Sequence, residues 1–427
     1  MDILSLYQKY SESGLISTDT RKILPGSIFF ALKGEHFNGN EFAQRALELG
    51  ARWVVVDDPR YGELPQAILV SDVLTALQDL ARYHRKQLDI PVIGLTGSNG
   101  KTTSKELLYS VLSKKFRAQA TVGNLNNHIG VPLTILSLKK ETEIAIIEMG
   151  ANHVGEIALL SSIALPTHGF ITNIGKAHIG TFGGFENIIR GKTELYQHLI
   201  NQSGKIFVNS QNPILAPMIR RFSEPILYPS AGDFIHVELL KGDPYLVIRA
   251  DGGPEILTHL TGVYNFENIA AALCIGKFFG VSASEAALAV SEYRPSNMRS
   301  QIVHAGSNTV ILDAYNANPS SMEAAILNLR SLPGEKKIAI VGDMYELGEE
   351  SDKEHLRIGS LLHESEFSEV LLCGSLMSKA RETCSAAIAF SSRDELMTYL
   401  RAHPIQHATV LIKGSRGIGL EKLMEVF

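Results

Sequence analysis

The twelve residues from Val92 to Thr103, Val-Ile-Gly-Leu-Thr-Gly-Ser-Asn-Gly-Lys-Thr-Thr, constrain this chain more than any other stretch. The short apolar run at its start reads as a buried strand. A Gly/Ser/Asn turn follows, and Lys101, Thr102 and Thr103 open a helix that continues through Ser104-Lys105-Glu106-Leu107-Leu108. Strand, glycine turn and helix in that order make a phosphate-binding loop. Gly97, Ser98, Asn99 and Gly100 let the backbone curl so that successive N–H groups point at phosphate oxygens. The helix N-terminus adds free N–H groups and the positive end of its dipole. Lys101 supplies charge to the β- and γ-phosphates, and the Thr102 hydroxyl suits Mg2+. The strict G-x-x-x-x-G-K-[ST] pattern is not met, because Leu95 holds the first glycine's place and the nearest glycine is Gly94. The alternative is a glycine-rich turn without a ligand. The complete Gly-Lys-Thr-Thr and its flanks weigh against it.

At 427 residues the chain exceeds one ordinary domain. Its 40 basic and 45 acidic residues leave a net charge of -5. No basic excess is available to track a nucleic-acid backbone or an anionic membrane. Cys274, Cys373 and Cys384 are odd in number and lack metal spacing, which fits a reducing compartment. Met1-Asp2-Ile3-Leu4-Ser5 shows neither the basic start nor the apolar core of a signal peptide. No apolar run approaches the roughly 20 residues that span a bilayer. The expectation is a cytoplasmic α/β protein with no nucleic-acid partner and no stable membrane insertion.

Residues 1–88 read as a small α/β unit, with strands at 27–32 and 53–56, a helical stripe of Phe42, Ala46, Leu47 and Leu49 stopped by Gly50, and a helix over 72–88. Pro91 restarts the chain and places a boundary at 88–91. Over 89–293 strand and helix alternate. Strands fall at 144–147, 169–172 and 205–208, and helices near 102–114, 154–163 and 185–200. This predicts parallel βαβ units with ligands at the carboxyl ends of the strands. Short antiparallel strands at 236–240, 245–249 and 255–260 follow, then helices over 265–279 and 283–292. Arg294-Pro295-Ser296-Asn297 marks the second boundary. The span 294–427 reads as a hairpin (300–303, 309–313) leading into a third α/β unit with strands at 337–341, 370–372 and 409–412.

Other residues carry possible chemistry. Glu148 ends an apolar strand beside the loop, where a carboxylate can hold Mg2+; a capping role is the alternative. His178 lies past another strand, and its spacing leaves metal or phosphate contact and a solvated loop histidine both open. Lys192 sits on a helix, where lysines are ordinarily solvated. Asn124 to Pro132 is an amide-rich loop that suits a polar ligand or a turn. Asp313-Ala314-Tyr315-Asn316-Ala317-Asn318-Pro319 reads as a helix cap or a ribose edge, and Lys413-Gly414-Ser415-Arg416 as a helix start or a carboxylate clamp. The residues define a Mg2+-dependent nucleoside triphosphate site and leave the reaction open.

In this order the motifs resemble the Mur ligases, the ATP-dependent amide-forming enzymes of peptidoglycan precursor synthesis, over essentially the whole chain. The family-wide matches are Thr96 to Thr103, Glu148, His178, the pair Asn265 and Asn268, and Arg299. A narrower set is similar to the branch that adds D-alanyl-D-alanine to a UDP-N-acetylmuramoyl-tripeptide: Asp19-Thr20-Arg21, Gly123 to Asn127, Glu148-Met149-Gly150-Ala151, Tyr315 to Pro319, Gly342-Asp343-Met344 with Glu346-Leu347-Gly348, and Lys413 to Arg416. The resemblance implies an α/β fold of three domains: a central phosphate-loop parallel-sheet ATPase domain between a small N-terminal α/β domain and a C-terminal Rossmann-like α/β domain.

The resemblance implies that ATP phosphorylates the tripeptide's terminal carboxylate and that the dipeptide amine displaces phosphate, with Mg2+ assisting; a monomer is expected. Thr102 and Glu148 then hold one Mg2+. His178 and a carbamylated Lys192 match the second metal position, which replaces the solvated reading of that lysine. Asn265 and Asn268 match residues near the adenine, Arg299 a phosphate contact and Asp313 a ribose contact. Asp19, Thr20 and Arg21 match a loop at the uridine end of UDP-MurNAc-tripeptide, Asn126 and Asn127 substrate-facing amides, and Lys413, Ser415 and Arg416 a loop serving D-Ala-D-Ala. Three departures stand out. Tyr264 replaces a frequent His, His128 replaces a frequent Glu, and Asp57-Asp58-Pro59-Arg60 looks like a relative's amino-acid motif in the wrong domain and reads as a turn. The alternatives are a relative adding the third amino acid, a P-loop kinase or GTPase, and a non-catalytic nucleotide-binding scaffold.

Overall fold

The structure, a computed structural model, describes residues 2–427. Its first unit is a parallel sheet in spatial order β1 (Ile16–Ser17), β2 (Ile28–Phe30), β3 (Trp53–Val56) and β4 (Ala67–Leu69). Every residue of β2 and β3 is buried, because helices cover both faces and a two-sided strand must be apolar throughout. On one face Phe29, Val54 and Val56 pack with α2 (Ala43–Glu48). On the other, Phe30, Trp53 and Val55 share a core with Leu6 of α1 (Ile3–Ser13) and with Leu77 and Leu80 of α3 (Val73–Lys86). Asp72 caps α3 by accepting from Thr75 N. The end of α3 is fastened to the next unit: Arg85, itself buried, donates from Nε to Ala164 O at 3.0 Å.

The second unit is a six-stranded parallel sheet. Its elements in chain order are β5 (Val92–Thr96), α4 (Lys101–Leu112), β6 (Ala118–Ala120), α5 (Gly130–Leu136), β7 (Ile144–Glu148), α6 (Glu156–Ala164), β8 (His168–Ile171), α7 (Ile179–Phe182), α8 (Phe185–Asn201), β9 (Lys205–Asn209) and β10 (Ile226–Tyr228). The spatial order is β10-β9-β8-β5-β7-β6. From β5 the chain winds out through β6 to β7, then crosses to β8 on the other side. The switch point therefore lies at the carboxyl end of β5, where an open α/β sheet leaves a crevice. A small antiparallel sheet of β11 (Val237–Lys241), β12 (Val247–Ala250) and β13 (Glu255–Leu257) follows, then α9 (Asn265–Phe278) and α10 (Ala283–Glu292).

The third unit has six strands in the order β14-β15-β19-β16-β17-β18: β14 (Gln301–Ala305), β15 (Asn308–Asp313), β16 (Lys337–Gly342), β17 (Glu369–Cys373), β18 (Ile388–Phe390) and β19 (Thr409–Lys413). Only the β14–β15 hairpin is antiparallel. Helices α11 (Pro319–Ser331), α12 (Ser351–Glu364) and α13 (Arg393–Ala402) connect the strands. This unit is docked on the second. Asn318 Nδ2 donates to Asn99 Oδ1 at 2.8 Å, and Lys176 Nζ reaches the fully buried Glu354 at 2.5 Å. The α/β class expected from the sequence is borne out. No helix among the described residues is long and apolar enough to cross a membrane.

Candidate active site

The phosphate loop leaves β5 through two glycines that no other residue could replace without movement. Gly97 has φ +150°, and a Cβ there would stand 2.0 Å from Thr172 Oγ1. Gly100 has φ +76°, and its Cβ would stand 2.4 Å from Asn268 Oδ1. Neighbouring loops hold the backbone between them. Ser98 N donates to Asn173 O (3.0 Å), Asn99 N to Asn173 Oδ1 (2.9 Å), and Ser98 Oγ to Gly175 O (2.9 Å). Helix α4 starts at Lys101 without a side-chain cap, so its first N–H groups stay available to an anion.

Lys101 folds back, donating from Nζ to Gly97 O at 2.7 Å and to Ser98 O at 3.2 Å. Burial pushes its pKa down to about 8; the nearby Glu148 opposes the drop and Arg299 adds to it. An ammonium in this position lacks a close counter-anion, which a triphosphate would supply. Glu148 ends β7 one strand away. Its Oε1 accepts from Asn126 Nδ2 at 2.9 Å and from Thr102 Oγ1 at 3.3 Å. Its Oε2 is buried with no hydrogen-bond partner; the nearest cation, Lys105 Nζ, stands 3.8 Å off.

These groups open into a cleft of about 620 Å³ between the second and third units. Ser98 to Thr103, Asn126, Asn127, Glu148, His178, Asn265, Asn268, Arg299, Asp313 and Lys413 all line it. Asn268 is tied into α4 through Ser104 Oγ (2.9 Å), and its Nδ2 donates to Asn265 Oδ1 (2.9 Å). Arg299 lies over the Tyr315 ring at 3.9 Å with its Nε buried and unpartnered. Asp313 Oδ2 accepts from Lys413 Nζ at 2.6 Å, and its Oδ1 from Ser300 N at 3.0 Å.

Other predicted residues lie off the cleft or are partly engaged elsewhere. Lys192 is buried, and its Nζ donates to the carbonyl of the cleft residue Ala151 at 3.0 Å. Burial, reinforced by Lys101, holds its pKa well below the lysine range. Gly97 shapes the loop from beneath. Ser415 is buried and its Oγ accepts from Tyr345 N at 3.0 Å, whereas Arg416 is exposed beside Tyr315. Asp19, Thr20 and Arg21 form a short turn in the first unit: Asp19 accepts from Arg21 N, and its carboxyl is held down to about 2 by Arg21. Asn127 Oδ1 caps the start of α5 by accepting from Ile129 N and Gly130 N, so part of its amide is spent on the turn. The sequence reading missed Asn173, Ser320, Ser321 and Lys105. Loop amides, helix-start serines and a helix lysine carry no spacing signal. The described residues contain no cluster of three His, Cys, Asp or Glu that could hold a metal.

A phosphate-loop nucleotide site closed over by a second α/β unit defines a nucleotide-dependent enzyme of three domains. Family models match the chain in three stretches: the Mur ligase family catalytic domain over residues 13–85, the Mur ligase middle domain over 95–276, and the Mur ligase glutamate ligase domain over 298–416. The chain belongs to the Mur ligase family. It is 34% identical over 421 residues to a UDP-N-acetylmuramoyl-tripeptide–D-alanyl-D-alanine ligase of Bacillus subtilis, covering 96% of this chain and 92% of that one. A crystal structure of MurF from Acinetobacter baumannii superposes with a TM-score of 0.87 at 34% identity, over 96% of this chain and 92% of that one. The MurF ligase of Thermotoga maritima in complex with ADP gives a TM-score of 0.86 at 26% identity, over 100% and 98%.

Proposed function

We propose that this chain is an ATP-dependent ligase that joins D-alanyl-D-alanine to UDP-N-acetylmuramoyl-tripeptide in peptidoglycan precursor synthesis. The observation that carries the proposal is the single cleft on which Lys101 and Glu148 of the middle unit meet Arg299, Asp313 and Lys413 of the third. The division of labour runs over residues 1–88 for the UDP end, with Asp19, Thr20 and Arg21; 89–293 for ATP; and 294–427 for the incoming dipeptide, with Lys413, Ser415 and Arg416.

In the reaction, an oxygen of the tripeptide's terminal carboxylate attacks the γ-phosphorus and the bond to ADP breaks, giving an acyl phosphate. The dipeptide nitrogen attacks the acyl carbon, loses a proton, and the tetrahedral intermediate expels phosphate. Carboxylate and triphosphate repel each other, so neutralisation and alignment dominate the barrier. Lys101 and the α4 N-terminus supply positive charge from one side and Arg299 from the other. Asn265 and Asn268 form the base-side wall, and Asp313 faces the ribose.

Mg2+ fits the donors present. Glu148 Oε2, buried without a hydrogen-bond partner, and the Thr102 hydroxyl, which bonds the other oxygen of the same carboxylate, are hard oxygen donors of the kind Mg2+ takes. Thr102 and Glu148 would hold the ion, which would neutralise phosphate charge. His178 and a carbamylated Lys192 would hold a second ion. The depressed Lys192 pKa favours the neutral amine, the form that adds CO2 to become a carbamate anion. Phosphate release from ATP with UDP-MurNAc-tripeptide, measured with and without D-Ala-D-Ala, tests the proposal. Release independent of the dipeptide would sink it.

A further inference from the structure

Two non-glycine residues in the left-handed region meet across the seam between the second and third units. His178 (φ 57°) lies in the loop after β8, and Glu346 (φ 63°) lies in the Gly342–Gly348 run after β16. That conformation costs free energy at any residue bearing a Cβ and persists only where its surroundings enforce it. Here it brings the side chains together: Glu346 Oε2 is hydrogen-bonded to His178 Nδ1. The backbones touch as well. Gly180 N donates to Glu346 O at 3.1 Å, and a Cβ on Gly180 would stand 2.5 Å from Gly348 N. His178 lines the cleft.

A carboxylate on Nδ1 draws the ring proton to that nitrogen and leaves Nε2 with its lone pair, while fixing the ring plane. Glu346 can do this only from a docked third unit. We infer that Glu346 is a positioning residue for the ligase reaction: it sets the orientation and tautomer of His178 when the third domain docks over the cleft. The histidine of the ATP-binding domain is thereby armed as the domain that brings the amine arrives. This inference rests on the ligase reading above. A second seam contact, Lys176 with Glu354, differs in kind, because neither side chain lines the cleft. It serves as a control for docking alone.

The test is a double-substitution cycle of Glu346→Ala, His178→Ala and both together, read as kcat and as KM for each substrate. Glu346→Ala is expected to lower kcat about 10- to 100-fold, the range for losing a partner that orients a functional histidine, with KM for ATP little changed. On the His178→Ala background it is expected to add less than about twofold, because the two residues act as one unit. Glu346→Gln, which can still accept from Nδ1–H, is expected to restore most of the rate. Lys176→Ala is expected to have the same effect with or without His178. An equal cost of Glu346→Ala in both backgrounds, or no cost, would overturn the inference. Absence of dipeptide-dependent turnover in the unsubstituted enzyme would instead strike the ligase reading. A readout without turnover separates the two: ring-nitrogen NMR of the 15N-histidine-labelled full chain, with the His178 signal identified by its loss in His178→Ala. The Nδ1–H tautomer is expected in the unsubstituted protein and a mixture in Glu346→Ala; an unchanged tautomer would overturn the inference whatever the turnover.

Discussion

Replacing Lys101 by methionine should stabilise the ligand-free protein while abolishing ATP turnover. Burial lowers the Lys101 pKa from 10.5 to about 8. At about 1.4 kcal/mol per tenfold change in proton affinity, that drop corresponds to a cost of roughly 3 kcal/mol for holding the ammonium in place. The side chain is only partly buried by area, so cleft water relieves some of it, and about 1–3 kcal/mol is the expected range. Because the folded pKa lies below the unfolded one, the unfolded chain binds more protons between about pH 8 and 10.5. The full cost is present below that window, and stability from this group rises with pH through it. Methionine removes the charge and keeps the length. The carbonyls of Gly97 and Ser98 that it abandons border the cleft and can bond water. Urea unfolding of both proteins near pH 7 and near pH 10 isolates the effect, since other titrating groups cancel in the difference. The variant should be more stable near pH 7, and most of its advantage, though not all, should be gone near pH 10. A variant no more stable near pH 7, or a difference independent of pH, would refute the electrostatic account of the loop.

Gly180→Ala should block docking of the third domain, because the new Cβ would stand 2.5 Å from Gly348 N; nucleotide binding should weaken with the loss of Arg299 and Asp313 but persist on the phosphate loop, while ligation falls on the order of 100-fold, as calorimetry and product assay would check. Glu354→Ala removes a fully buried carboxylate shared by Lys176 and Arg357. Both cations are about one-third exposed and can regain water, so the loss in a urea titration should be about 1–3 kcal/mol, below the figure for a wholly buried pair. Lys192→Ala should lose turnover, and a short-chain carboxylic acid should partly restore it; an alanine variant with normal turnover removes the residue from the mechanism.

The central strands and long helices were legible because two-sided burial writes continuous apolar runs, as at Trp53–Val56 and Ile144–Ile147. In the three main sheets the strands that escaped were β1, β4, β6, β10 and β18. Each has two or three residues, and each lies at the edge of its sheet. An edge strand is covered on fewer sides, so it needs no apolar pattern. The phosphate loop and Glu148 were readable from order alone: strand, turn, helix, then a carboxylate after an apolar strand. Lys192 was not, because a buried helix lysine and a solvated one look identical in sequence, and only the resemblance singled it out. The Lys413–Asp313 and His178–Glu346 contacts join residues 100 and 168 positions apart. No local period can encode pairings at such separations.

In the proposed reaction the γ-phosphoryl group of ATP passes through the tripeptide carboxylate. Tripeptide labelled with 18O in its terminal carboxylate tests this directly, with released phosphate and peptide product analysed by mass spectrometry. Each turnover is expected to transfer one labelled oxygen to phosphate and to form one amide bond to D-Ala-D-Ala. Unlabelled phosphate accompanying amide formation would contradict this route.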